Sequence, residues 1–149
     1  MPVEITRRGP GKKFPRGTLK KIAEAILIVA GRADAELSLA LIGNPEMQRL
    51  NAQYRGKNYP TDVLSFPIDE AFLSTPRQLG DVVISVEKAR QQARERGHAH
   101  HDEMVTLLIH GIVHLLGYDH ERSARDARVM KQLENKLFRR LCEQRLLKV

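Results

Sequence analysis

The sequence predicts an α+β fold, a single domain over residues 1–149 with a small mixed four-stranded sheet packed against about five helices. Two observations carry that prediction. The length of 149 residues is that of one domain, large enough to bury a core without a disulfide or metal to hold it together. Hydrophobic periodicity alternates along the chain in the order β α β α β β α α α, with no internal repeat and no linker to divide it.

Each element has its own signal. Val3–Thr6 reads as a short strand before the turn-rich stretch GPGKKFPRG. Between Thr18 and Ala30, Leu19, Ile22, Ala23, Ile26 and Ala30 share one helical face, and Gly31 stops the helix. Leu37, Leu39 and Leu41 alternate within Glu36–Ile42, as in a strand. Asn44–Pro45 opens a helix with a cap and a proline at its first position, and that helix runs to about Arg55, beside Gly56. Val63, Leu64 and Phe66 form a strand closed by Pro67; after the stretch Asp69–Gln78 comes a second strand, Gly80–Ser85. Helices are then expected over Val86–Gly97, Asp102–Leu116 and Ser123–Leu147.

Composition excludes several classes. The lone Cys142 rules out a disulfide framework and a multi-cysteine zinc site. No apolar run nears the ~20 residues of a membrane span, and the N-terminus lacks the apolar core of a signal peptide, so a cytoplasmic protein without a membrane partner is expected. Charge is uneven: residues 1–21 carry +6, residues 22–120 carry −4 and residues 121–149 carry +5. Folded onto one face, the two basic ends would attract a polyanion such as RNA, although solvated helix surfaces can carry the same charge. With no Trp, three Tyr and four Phe, a large base-stacking platform is not expected.

The chemistry concentrates in HGIVHLLGYDH, which holds His110, His114 and His120. Four residues apart on a helix, His110 and His114 project from one face and can reach a single ion at ~2.0–2.1 Å. Gly117 lets the chain leave the helix so that His120 can return as a third ligand. Three histidines leave one position open, as in a catalytic zinc site, and one Zn²⁺ is expected. The pattern is that of the metzincin ligands, except that Gly111 stands where a peptidase carries its general-base Glu. A metal site without a peptidase follows. A side chain at Gly111 is expected to project beside the metal and crowd an anionic substrate. His98, His100 and His101 read as surface residues in a polar turn, and Met130 reads as core.

This segment resembles the signature of the YbeY family, bacterial zinc-dependent endoribonucleases of ribosomal RNA maturation. NAQYRGKNYPTDVLSFP (Asn51–Pro67) and LGDVVIS (Leu79–Ser85) match the family's pattern in the same order. The resemblance implies a zincin-like domain and a single-strand-specific, metal-dependent endoribonuclease that acts in late ribosome quality control and 16S rRNA 3′-end maturation. It implies ribosomal RNA and the ribosome, or small-subunit proteins, as partners. Arg55 matches the family's arginine near the metal and, with His114, is expected to be catalytic; its guanidinium suits a scissile phosphate. Asp62 and Ser65 are candidates for groups behind the site or for purely structural roles. Asp81 begins the strand Gly80–Ser85 beside a glycine, where a turn role is favoured over a chemical one, and Asp119 reads as closing the loop before His120.

Two other readings compete: a zinc hydrolase of a non-RNA substrate, and a non-catalytic assembly factor with a structural zinc. The missing Glu and the basic ends weigh against the first. The open fourth position weighs against the second. Whether the nucleophile is a metal-activated hydroxide or the RNA 2′-OH is open at this level.

Overall fold

A computed structural model of the chain describes residues 3–68, 78–118 and 123–147. The element order is β1 (Val3–Arg7), a 3-10 turn (Gly9–Lys13), α1 (Arg16–Val29), β2 (Glu36–Ile42), α2 (Asn44–Arg55), β3 (Val63–Pro67), β4 (Gln78–Ser85), α3 (Val86–Arg96), α4 (His100–Leu115) and α5 (Ala124–Glu143). It is the α+β order the sequence predicts, with four strands and five helices. The differences are at the ends: α4 begins two residues earlier than expected and α5 stops at Glu143 rather than Leu147.

The strands lie in the order β1-β2-β4-β3. The first three are parallel, and β3 pairs antiparallel with β4 as an edge strand, Leu64 opposite Val83 and Ser65 opposite Val82. Period-two alternation sorts side chains between the two faces. Val3, Ile5, Leu37, Leu39, Leu41, Val82 and Ile84 point into the main core, where they meet apolar residues of α1, α4 and α5. Ile42, Leu64 and Val83 face the other way and form a second, smaller core with Met47 of α2. The sheet thus separates α2 from α4, with the edge strand β3 between them.

Helix α4 is the central element. Met104, Leu108 and Ile112 are fully buried along one stripe, and Met130, Leu137 and Leu141 of α5 join the same core. Met130 is therefore a core residue, as expected. Gly111 lies where α4 presses onto the sheet. A Cβ there would sit 2.7 Å from Val82 Cγ1 and 3.3 Å from Ser65 Oγ. This corrects the expectation that a side chain at Gly111 would crowd a substrate: it would meet β4 instead. Helix–sheet contact therefore favours glycine here.

Candidate metal centre

The periodicity that buries one side of α4 turns His110 and His114 to its half-exposed side, one turn apart. Their rings meet edge to face, with centroids 4.7 Å apart and planes at 80°. Nitrogens bound to one tetrahedral ion at ~2.0–2.1 Å are about 3.3 Å apart, a spacing that rings at this separation accommodate. Beyond them Gly117 takes φ +101°, a conformation that suits glycine, and the helix ends. His120, the third expected ligand, and Asp119 lie outside the described residues. Among the described residues no group of three ligating side chains comes together.

Glu134 of α5 faces this pair. Its Oε2 lies 2.7 Å from Nδ1 of His110. An ionised carboxylate can only accept, so Nδ1 carries the proton and Nε2 becomes the nitrogen able to ligate. Burial works against ionisation of Glu134. The hydrogen bond with His110, helped by the electrostatic pull of His110, Lys131 and His114, outweighs it and holds the carboxyl below its ordinary range. Imidazole donors, one of them backed by a carboxylate, suit a borderline-soft divalent ion such as zinc. Sequence reading passed over Glu134. Its signal was an acid within the inward stripe Met130–Glu134–Leu137–Leu141, where the helical period calls for an apolar residue.

The edge strand is tied to the same helix. Ser65 Oγ donates to the Gly111 carbonyl at 3.0 Å, and Asp62 accepts from the Val63 amide at 2.7 Å. Both side chains have structural partners, which favours the structural side of the two roles considered. Arg55 lies exposed in the last turn of α2. Among the described residues no hydrogen bond or ion pair joins it to His110 or His114. The segment after it is anchored by the buried Asn51, whose Nδ2 donates to the Tyr59 carbonyl at 2.8 Å. Asp81 lies inside β4, within the strand expected over Gly80–Ser85. Partial burial pushes its carboxyl above the ordinary range, against a lowering hydrogen bond with Ser38.

Of the other three histidines, His98 is exposed in the turn before α4, as expected, while His100 and His101 are half-buried in its first turn, which corrects their reading as surface residues. His98 Nε2 pairs with the fully buried Glu103, which Arg96 meets from its other oxygen at 2.7 Å. His100 Nε2 donates to the Val86 carbonyl at 3.0 Å, and its ring packs edge-on against Phe14. His101 Nε2 donates to the Leu146 carbonyl at 2.9 Å. All three tie the start of α4 to fixed partners, His98 from its exposed turn. Burial pushes the His100 imidazole down, only partly offset by its bond to Val86.

A mixed sheet with an antiparallel edge strand, bonded to a helix that carries paired histidines, defines a zincin-like metal-dependent hydrolase. The chain belongs to the Endoribonuclease YbeY family, whose profile matches residues 5–142. It is similar to the Endoribonuclease YbeY of Sulfurihydrogenibium sp. (strain YO3AOP1), 45% identical over 140 residues that cover 93% of this chain and 92% of that one. The Endoribonuclease YbeY of Persephonella marina is 46% identical over 139 residues, 91% of this chain and 86% of its own. Among solved structures, the solution structure of TM1509 from Thermotoga maritima superposes with a TM-score of 0.67 at 30% identity, covering 96% of this chain and 91% of that one.

Proposed function

We propose that this chain is a zinc-dependent endoribonuclease of ribosomal RNA maturation whose site is held by α4. The activity itself, metal-dependent cleavage of RNA phosphodiesters in rRNA processing, is that of its family. The observation that carries the site is the His110–His114 pair with Glu134 behind it. His110, His114 and His120 would hold one Zn²⁺. When bound, the ion supplies Lewis acidity toward a phosphoryl oxygen and acidifies water, which removes the need for the Glu that Gly111 replaces.

The protein's own groups do the rest. Glu134 keeps the His110 proton on Nδ1 and so sets the ring's orientation. Arg55, with no ion pair among the described residues, is the cation proposed to meet the charge that builds on the phosphate. Single-stranded RNA is the proposed substrate, as the resemblance to the family implies. We assign the ribosome's small subunit as the setting and the cytoplasm as the compartment; no helix among the described residues is long and apolar enough to cross a membrane.

The test is cleavage of a labelled single-stranded RNA by zinc-loaded protein. Arg55→Ala is expected to lower turnover about 10²–10³-fold, the scale of a lost transition-state donor, with zinc content unchanged. Unchanged turnover would show that another cation serves the phosphate.

A further inference from the structure

Away from the histidine pair, a cavity of about 440 Å³ opens where the 3-10 turn Gly9–Lys13 meets the start of α3. Pro10 and Val86 line it, and Lys13, Arg90 and Arg94 converge on it from two elements. Glu87 is the acid at its edge, and that carboxylate already accepts from the Asn44 amide at 2.7 Å. Lys13, Arg90 and Arg94 form no ion pair among the described residues.

Three cations around one cavity favour an anionic ligand. Arg90 and Arg94 stand four residues apart on α3, where like charges repel by ~0.2–0.5 kcal/mol, and Lys13 adds a third. The scaffold is also built to hold them. Arg7 donates to the Phe14 carbonyl at 3.0 Å across the turn, and Gly11 packs so closely on the Leu41 backbone that no Cβ would fit. On the other side, Ser85 caps α3 by accepting from the Lys88 amide.

We infer that this pocket is a second RNA-binding site, which takes the phosphodiester backbone of the substrate strand several nucleotides from the scissile bond. The inference rests on RNA being the substrate. The separation follows from α4: His100 bonds to Val86 at the cavity, while His110 lies ten residues further along the helix, about 15 Å at 1.5 Å per residue. Of the basic residues in 1–21, Lys13 is the one that lines the cavity.

The experiment follows fluorescence anisotropy of a labelled single-stranded RNA across a potassium chloride series. It compares the full chain, the triple variant Lys13→Ala/Arg90→Ala/Arg94→Ala, and an α5 triple, Arg128→Ala/Lys136→Ala/Arg139→Ala, that removes equal charge elsewhere. All six side chains belong to exposed residues, so both variants are expected to fold. Three lost phosphate contacts should reduce the slope of log K against log salt by about 2, with KM rising in step with Kd. The α5 triple should change the slope less. Equal slopes for wild type and pocket variant, or the same loss from both triples, would overturn the site. Displacement of the RNA by inorganic phosphate beyond the effect of equal ionic strength would assign the pocket to a free anion instead, and would also overturn it. His114→Ala keeps this reading separate from the catalytic one, because it should lose cleavage while it retains RNA affinity and salt slope.

Discussion

Along α4, His100 and His101 stand in the first turn beside His98, and His110 and His114 stand near the last. At the first end, each histidine bonds outward to a fixed partner: buried Glu103, the Val86 carbonyl, the Leu146 carbonyl. At the second, two rings turn toward each other, and a carboxylate from α5 selects the nitrogen that one of them can offer. The same residue type thus serves as a staple at one end and as a donor at the other. The difference lies in the neighbours. A histidine whose Nε2 is tied to the protein is structural; one held by Nδ1 is prepared to bind something else.

The comparison can be broken at either end. Gly111 lies between the paired histidines and presses the second end onto Val82 of the sheet, so Gly111→Glu should cost more than about 3 kcal/mol and displace the pair, and Gly111→Ala about 1–3 kcal/mol. Urea melts will show whether it does; a Gly111→Glu variant as stable as the parent would mean that α4 stands further from the sheet. At the first end, Glu103→Gln removes the carboxylate shared by Arg96 and His98 and should lower stability by about 2 kcal/mol, with metal affinity intact in the folded protein. At the second end the signature reverses. Glu134→Ala should weaken zinc binding ~10–100-fold in a competition titration and leave the melting temperature almost unmoved, and Glu134→Gln, which keeps an acceptor, should fall between.

The smallest effect concerns acid. His100 is held below its ordinary value, so the unfolded chain binds its proton first as pH falls. Its contribution is therefore complete above the unfolded value of ~6.5 and is lost as pH drops below that toward the folded value. His100→Gln, which can still donate to Val86, should lose less stability between pH 7 and 5 than the parent does. Parallel melting curves for the two proteins over that range would assign the acid sensitivity elsewhere.

What the sequence made legible follows from the range of each signal. The strands and helices were readable because alternation in Leu37–Leu41 and the helical spacing of Leu19, Ile22 and Ile26 are local patterns. The pairing of His110 with His114 was readable for the same reason, since i and i+4 share a helical face. Glu134 was not, because its partner lies 24 residues away and only the packing of α5 on α4 brings them together. Gly111 shows the opposite failure. Its unusual place in a helix was noticed, but a substrate was invoked where the explanation was Val82, on a strand that local spacing could not place beneath it. The partners of His98, His100 and His101 were hidden likewise, because a polar turn in sequence gives no hint of a buried carboxylate or of the Val86 and Leu146 carbonyls.

The account stands most directly on what the second end of α4 holds. Zinc stoichiometry by equilibrium dialysis, with RNA cleavage measured on the same samples, decides it for the parent, His114→Ala and Glu103→Gln at a temperature where all three are folded. The parent and Glu103→Gln should bind one equivalent and cleave, while His114→Ala, although folded, should lose both the metal and at least about a hundredfold of the cleavage rate. A His114→Ala protein that still binds a full equivalent of zinc and cleaves RNA at the parental rate would contradict the assignment.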